Sequence, residues 1–285
     1  MTLKQFGNTL SQIKENKHIN KSKALARHLG WQIKKILKLY PFYIKISESY
    51  IIVHDKNCSD CALVNCLGMY DYNIMNLIKL LSEKEIIFFD VGANVGVYSL
   101  LASESGITKV YSFEPHPKTF SQLFGNVEIN GRKNIVPLKL ALSDKAEETG
   151  FSDYTLSALN RFVGEEFIPR ITVETKRGDE VCKELDVIPS FVKIDVEGFE
   201  LKVLNGFGEY LARINIVILE FGELNKKDKP DIIRLLSESN FDGPFYFDFD
   251  KKHLTKIPME SEKNVVFVNR NFNDRLTANY KIMFV

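Results

Sequence analysis

Runs of apolar residues that end in a carboxylate or a glycine recur along this chain. The clearest run covers residues 86–90, where four apolar residues precede Asp90, a pattern typical of a fully buried strand. A loop containing Gly92 and Gly96 follows, and an apolar stretch at helical spacing begins near Val95. Because helices cover both faces of a buried parallel sheet, this alternation predicts an α/β protein with a doubly wound sheet.

The same patterns divide the chain into two predicted parts. Residues 1–80 form an N-terminal extension made of a basic amphipathic helix, a β-hairpin and a second helix, which we interpret as a docking or lid region. Residues 81–285 form the domain with the sheet. Its further predicted strands are 109–115, 134–142, 191–195 and 214–220, and a terminal β-meander is predicted from 245–250, 253–257 and 264–270. Residues 146–180 interrupt the alternation, and we expect an irregular excursion over the site.

The glycine loop indicates a ligand site. Gly92 and Gly96 allow backbone to pass close to a ligand, and the amides that begin the next helix suit a phosphate or a carboxylate. A dinucleotide loop would need the pattern G-x-G-x-x-G directly after the strand, which is missing here. The other common ligand of such a loop is S-adenosylmethionine, which carries a carboxylate and an ammonium group.

The next two strands add polar residues at the same predicted edge. Glu114 ends the second strand about twenty residues beyond the loop, where an acidic residue can accept both hydroxyls of a ribose. Ser143 and Asp144 end the third strand. They can hydrogen-bond an adenine edge, but Ser-Asp is also an ordinary turn dipeptide, and both interpretations stay open.

Three ionisable residues lie at the end of the strand that begins at residue 191. Lys193 and Asp195 share one face of that strand, and Glu197 lies just past its tip. Such groups are costly to bury unless they pair or take part in chemistry, so a structural ion pair is the alternative to a catalytic role. For methyl transfer, Asp195 is the first candidate base, Glu197 is the second, and Lys193 orients them. A divalent ion held by the carboxylates is an alternative, although we assign no metal ligands.

Charge separates the N-terminal segment from the rest of a chain of 285 residues with a net charge of +1. That balance argues against general affinity for nucleic acid. Residues 1–39 nevertheless hold nine Lys or Arg and one acid, Glu15. Residues 22–40 predict a basic amphipathic helix that either lies on an anionic membrane surface or packs on its own protein with a solvated basic face. No apolar run is long enough for a signal peptide or a membrane span, so we expect a cytoplasmic protein.

Three cysteines cluster in the extension. Cys58, Cys61 and Cys66 follow His54 at spacings that resemble a zinc site, but no second C-x-x-C pair exists and small buried cysteines are common. With no secretion signal, we expect all four cysteines of the chain to be reduced thiols.

Four motifs in fixed order carry a family resemblance. Residues 90–96 (DVGANVG), 113–115 (FEP), 141–144 (ALSD) and 193–200 (KIDVEGFE) resemble those of the FkbM family of S-adenosylmethionine-dependent methyltransferases. The resemblance implies a class I methyltransferase fold, Rossmann-like, with a seven-stranded and mostly parallel sheet. It also implies that the following residues hold S-adenosylmethionine: Asp90, Gly92, Asn94 and Gly96 around its methionine part, Glu114 on the ribose hydroxyls, and Ser143 with Asp144 beside the adenine.

The resemblance also implies a reaction. Members of the family commonly methylate hydroxyl groups, so the expected activity is O-methylation of a small-molecule or glycan acceptor such as a sugar or a natural product. N-methylation and a non-catalytic scaffold that binds S-adenosylmethionine are the alternatives. A nucleotide-dependent oxidoreductase is disfavoured because the glycine fingerprint is missing.

Overall fold

The computed structural model describes residues 9–14, 16–56, 58–104, 109–154, 160–163, 170–258 and 264–285. Its strands, in chain order, are β1 (Phe42–Ile46), β2 (Ser49–Val53), β3 (Ile87–Val91), β4 (Lys109–Phe113), β5 (Ile135–Leu138), β6 (Ala141–Ser143), β7 (Glu147–Ser152), β8 (Arg170–Arg177), β9 (Phe191–Ile194), β10 (Ile216–Glu220), β11 (Phe241–Asp248), β12 (His253–Lys256), β13 (Asn264–Asn269) and β14 (Met283–Phe284).

The helices lie between these strands. In chain order they are α1 (residues 9–14), α2 (Lys21–Ile36), α3 (Ser59–Leu67), α4 (Tyr72–Ser82), α5 (Val97–Ser103), α6 (Pro117–Ile129), α7 (Gly178–Leu185), α8 (Glu200–Gly206), α9 (Lys229–Glu238) and α10 (Asn273–Tyr280). None of the described helices is long and apolar enough to span a bilayer.

A mixed sheet confirms the predicted α/β class. Its strand order is β14-β12-β11-β13-β10-β9-β3-β4-β5, and the five strands from β10 to β5 are all parallel. The described sheet has nine strands, so the expected count of seven was wrong. The two additional strands, β12 and β14, extend the edge beyond β11, where Phe284 packs edge-on against Phe245 at 5.4 Å between ring centres.

The C-terminal strands do not form the simple meander that the sequence predicted. β13 lies between β10 and β11 and is antiparallel to both. Five of its six residues are buried. A strand this apolar is stable where both of its edges pair with neighbours, whereas the end of a meander would leave one edge open.

The sheet separates two hydrophobic clusters. Phe88 and Phe89 are both fully buried, and because side chains alternate along a strand they enter opposite clusters. The cluster around Phe88 also contains Trp31, Ile44 and residues of α4 and α5. The N-terminal extension therefore shares a core with the sheet, and its predicted helix, hairpin and second helix are present. The division of the chain at residue 80 stays a prediction.

Two expectations about irregular structure were wrong. The predicted strand 134–142 is split: β5 is the edge of the large sheet, where Pro137 is tolerated, and β6 joins a separate three-stranded sheet. The segment 146–180 contains the other two strands of that sheet, β7 and β8, paired antiparallel from Glu147 and Thr175 to Ser152 and Arg170. Residues 155–159 and 164–169 of this segment lie outside the described residues.

The expectation of four reduced cysteines was also wrong. Cys58 and Cys61 form a disulfide at the start of α3, whereas Cys66 and Cys182 are free and buried. The sequence separation of three brings the two sulfurs together in the first helical turn. From the sequence alone, the same spacing is equally compatible with two zinc ligands. Within the described ranges, no group of three or more His, Cys, Asp and Glu side chains is arranged to hold a metal ion.

The cysteine arrangement makes a direct prediction. Alkylation of the denatured, unreduced protein is expected to modify two thiols, those of Cys66 and Cys182, and prior reduction is expected to raise the number to four. Intact-mass spectrometry measures both numbers. Four adducts without reduction, in protein purified under air, would contradict the disulfide.

Candidate active site

The carboxyl ends of four neighbouring strands open into one cavity. β4, β3, β9 and β10 are parallel, so their ends meet at one edge, where α/β proteins bind ligands. The cavity encloses about 1140 Å³ of empty space, open solvent included. Its wall includes the strand-end residues Gly92, Asn94, Glu114, Lys193, Asp195, Glu197 and Glu220, together with Asp60, Tyr70, Tyr98, Phe151, Asn160, Phe162 and Asn264.

The glycine loop lies directly against the end of β9. Gly92 has a φ of +83°, and a Cβ atom built there would be 1.9 Å from the carbonyl oxygen of Asp195. Gly96 has a φ of +89°, and its Cβ would be 2.6 Å from Leu123. Both positions thus exclude a side chain for steric and conformational reasons. Gly92 is on the cavity wall, whereas Gly96 begins α5 behind it.

Asp90 lies beneath the loop and not on the cavity wall. It is fully buried, its Oδ2 accepts a hydrogen bond from the Ser99 hydroxyl, and Lys193 is its register partner on β9. Its Oδ1 has no hydrogen-bond partner among the described residues. Burial raises the pKa of Asp90, and the positive charge of Lys193 opposes that shift. Asp90 is therefore placed to balance charge below the site.

Glu114 and Asn94 are fixed on the opposite side of the loop. The Glu114 carboxylate accepts hydrogen bonds from the backbone amides of Asn94 (3.0 Å) and His116 (2.9 Å). Burial raises the pKa of Glu114 to about 7. Asn94 donates from Nδ2 to Asp60 at 2.9 Å, and its buried Oδ1 has no partner in the described part of the chain. An acceptor without a donor at a cavity wall suits a ligand that brings one.

Lys193, Asp195 and Glu220 form a coupled group. Lys193 Nζ is 2.8 Å from Asp195 Oδ2 and 4.3 Å from the ring centre of Tyr98. Burial opposes ionisation of Asp195, but the charge of Lys193 and its hydrogen bond outweigh burial, so the pKa of Asp195 is lowered. The Asp195 charge and burial raise the pKa of Glu220 to about 8. The Asp195 charge therefore favours the protonated form of Glu220.

Glu197 has the properties of a base poised near neutral pH. It has a φ of +52°, an uncommon backbone conformation for a residue other than glycine. Burial, followed by the charges of Asp195 and Glu200, raises the pKa of Glu197 to about 7. Glu200 accepts hydrogen bonds from the amides of Val196 and Gly198, at 3.3 and 3.1 Å, and so fixes the loop that carries Glu197.

The structure places some of the predicted residues elsewhere. Ser143 and Asp144 are not on the described cavity wall, although Ala141 and Leu142 just before them are. The backbone oxygen of Asp144 accepts from Arg177 at 2.8 Å, and Arg177 also pairs with Asp179 at 3.0 Å. The adenine contact of Ser143 and Asp144 stays a prediction.

Several residues of the cavity wall were not predicted as site residues from the sequence. Glu220 carried a signal, since it ends a buried strand with a carboxylate, as Glu114 does. Asp60 and Asn264 come from distant segments whose approach only the tertiary structure shows. Tyr70 is also on the wall, and Tyr72 lies outside this cavity, stacked on His18 with ring centres 3.6 Å apart.

Comparison with known proteins identifies the family. The model of the methyltransferase FkbM domain matches residues 90–242, more than half of the chain. The chain belongs to the FkbM methyltransferase family. Hexuronic acid methyltransferase AglP of Haloferax volcanii is 32% identical over 171 residues, which are 59% of this chain and 69% of that protein.

Solved structures similar to this FkbM methyltransferase include methyltransferases of low sequence identity. M. jannaschii TYW2 in complex with AdoMet is 13% identical, with 80% of this chain and 84% of that chain covered and a TM-score of 0.43. Precorrin-6y C5,15-methyltransferase from Geobacter metallireducens is 14% identical, with 70% and 86% covered and a TM-score of 0.39. The FkbM protein is an S-adenosylmethionine-dependent methyltransferase with a class I fold.

The cavity of this FkbM methyltransferase fits S-adenosylmethionine chemically. When bound, S-adenosylmethionine supplies an activated methyl group on a positively charged sulfur, and it carries an ammonium group. The wall offers oxygen acceptors from Glu114, Asp195, Glu197 and Asn94 Oδ1, and its one cation among the described residues, Lys193, is paired with Asp195. Such a wall favours a cationic ligand over the pyrophosphate of a dinucleotide. We expect Glu114 to hold the ribose and Asn94 to lie beside the methionine part.

Proposed function

We propose that this methyltransferase transfers a methyl group to a hydroxyl of a sugar or glycan acceptor, with Glu197 as the base. The observation that carries the proposal is the position of Glu197, a carboxylate on the cavity wall with a pKa of about 7. A base is most effective when its pKa is near the working pH. The name of the relative AglP, a hexuronic acid methyltransferase, supports a sugar acceptor.

Asp195 has a supporting role in this proposal. Its ion pair with Lys193 and its lowered pKa make it a weaker base than Glu197. Its negative charge, however, raises the pKa of Glu197. We therefore assign Asp195, Lys193 and Glu220 to tuning and positioning, and Glu197 to removal of the proton from the acceptor hydroxyl.

A second cavity adjoins the first and fits a sugar. The two cavities share Tyr70 and Asn264, and the second adds Asp71, Asn73, Tyr246 and the stacked pair of His18 and Tyr72. Asp71 accepts from Asn264 at 2.7 Å and from Tyr98 at 3.3 Å, and burial raises its pKa to about 6. Aromatic faces and amide or carboxylate groups together suit a ring with apolar faces and hydroxyl edges. We assign the acceptor to this second cavity.

The proposal predicts the chemistry of the product. Incubation of the purified protein with S-adenosylmethionine and a panel of neutral hexosides and hexuronic acid glycosides is expected to add the mass of one methylene group to at least one acceptor. The bond between the new methyl group and the acceptor oxygen is expected to survive mild alkali, because a methyl ether resists alkali. A methyl ester would be hydrolysed under the same conditions. Mass spectrometry before and after alkali treatment measures both properties. An alkali-labile product would show that the acceptor is a carboxylate, for which no base is needed, and would contradict the role of Glu197.

A further inference from the structure

Helix α2 exposes its apolar stripe to solvent. Leu25, Leu29, Ile33 and Ile36 recur at i, i+4, i+8 and i+11, which places them along one side of the helix. Their side chains are 42%, 49%, 56% and 77% exposed. The residues that α2 buries are instead Ala24, His28 and Trp31. The helix therefore contacts its own protein through one face and presents a second apolar face outward.

This arrangement distinguishes the two interpretations of the basic helix. A helix that merely packs on its own protein would bury Leu29 and Ile33 and leave only basic residues in water. Here the packing is made by the Trp31 face, and the Leu29 face stays open. The exposed apolar surface continues into Leu37 and Leu39, which are 61% and 53% exposed. An exposed patch of this extent is typical of a binding surface.

The charge beside the stripe is entirely positive. Between residues 21 and 45 the chain carries Lys21, Lys23, Arg27, Lys34, Lys35, Lys38 and Lys45 and no acidic residue. Among the described residues, the pair of Lys45 with Glu48 at 3.9 Å is the one salt bridge that these seven side chains make. Lys23 and Arg27 share one side of α2, since a spacing of four residues keeps them on one face.

We propose that α2 docks this methyltransferase peripherally on a bilayer that contains anionic phospholipid. Leu25, Leu29, Ile33 and Ile36 enter the boundary between headgroups and acyl chains, and the flanking Lys and Arg side chains contact headgroup phosphates. Charge complementarity decides the occupant. A second copy of the chain would bring seven positive residues against seven others, whereas an anionic bilayer neutralises them.

Helix α2 is linked to the active site through α3. α2 packs on α3, where Asn65 donates to the backbone oxygen of Arg27 at 3.2 Å. The first turn of α3 carries Asp60, which is on the cavity wall and accepts from Asn94. The lipid surface and the cofactor loop are thus connected through one short helix.

Co-sedimentation of the full-length protein with vesicles tests the proposal without any acceptor. The protein is expected to bind phosphatidylcholine vesicles that contain phosphatidylglycerol, and to bind pure phosphatidylcholine vesicles much more weakly. Leu29→Gln combined with Ile33→Gln is expected to reduce binding to the anionic vesicles about tenfold or more, because two apolar side chains no longer enter the bilayer. Lys23→Gln combined with Arg27→Gln is expected to reduce it about tenfold and to weaken its salt dependence.

The matched control replaces two apolar residues of similar exposure away from α2. Ile86 and Phe124 are 68% and 49% exposed, and their double replacement by Gln is expected to leave vesicle binding unchanged. Thermal unfolding without vesicles checks that each variant is folded. Equal binding to neutral and anionic vesicles, no binding by the wild type, or unchanged binding by the Leu29 and Ile33 variant would overturn the proposal. A concentration-dependent dimer in sedimentation velocity that this variant abolishes would assign the stripe to a second copy and overturn it as well.

Discussion

Glu197→Gln is expected to lower kcat by about 100-fold or more, the usual cost of removing a general base, and to weaken S-adenosylmethionine binding far less, because Glu114 and Asp195 remain on the cavity wall. Gln keeps the size of the side chain and tolerates the same backbone conformation, so the loop shape fixed by Glu200 is retained. In the wild type, kcat/KM is expected to rise with pH through about 7, because Glu197 must lose its proton to act as a base. The variant is expected to lose this rise.

Asp195→Asn separates the two candidate bases. If Glu197 is the base, this variant keeps measurable turnover and its pH profile moves to lower pH, because the charge that raises the pKa of Glu197 is gone. If Asp195 is the base, the Asn variant loses turnover and Glu197→Gln stays active. Isothermal titration with S-adenosylmethionine accompanies both rate measurements and identifies a variant that has lost the cofactor site instead.

Much of the site's scaffold was predictable because it depends on local patterns. A buried strand followed by a carboxylate and a glycine can be read from consecutive residues, and β3, β4, β9 and β10 all lie where that pattern placed them. Parallel neighbours then bring Asn94, Glu114 and Asp195 to one edge without further information. The family motifs carry the same residues, so the two lines of inference agree.

The remaining features depend on contacts between segments far apart in the chain. Asp60 meets Asn94 and Asn264 meets Asp71 across 34 and 193 residues, and no periodicity indicates either contact. The alternating residues of β7 and β8 were obscured by charged and turn-forming residues, because a small sheet outside the core needs few apolar positions. The face that α2 buries was equally hidden, since Trp31 and Leu29 are both apolar and only packing decides between them.

The buried ion pair at the end of β9 should dominate the stability of the site. Lys193→Met is expected to lower the free energy of unfolding by about 3 kcal/mol, because it leaves the buried carboxylate of Asp90 and the partly buried carboxylate of Asp195 without their cation. Met has nearly the same length and no charge, so packing changes little. Urea unfolding followed by circular dichroism measures the loss.

The pH dependence of that loss follows from the two carboxylates. Without Lys193, the folded-state pKa of Asp90, already raised, rises further, and that of Asp195 is no longer lowered and rises above its unfolded value, because burial is no longer opposed. The folded variant then binds more protons than the unfolded variant, so its stability falls as pH rises through those pKa values. Lys193 is protonated in both states of the wild type over this range, so the loss of stability in Lys193→Met is expected to be larger at about pH 8 than at about pH 5.

The matched control is Lys226→Met. It removes a surface pair with Glu223 at 3.1 Å, in which both side chains are 67% exposed, and should cost at most about 1 kcal/mol. Equal losses for the two variants, or a Lys193→Met deficit that does not change with pH, would show that Lys193 does not compensate the buried charges.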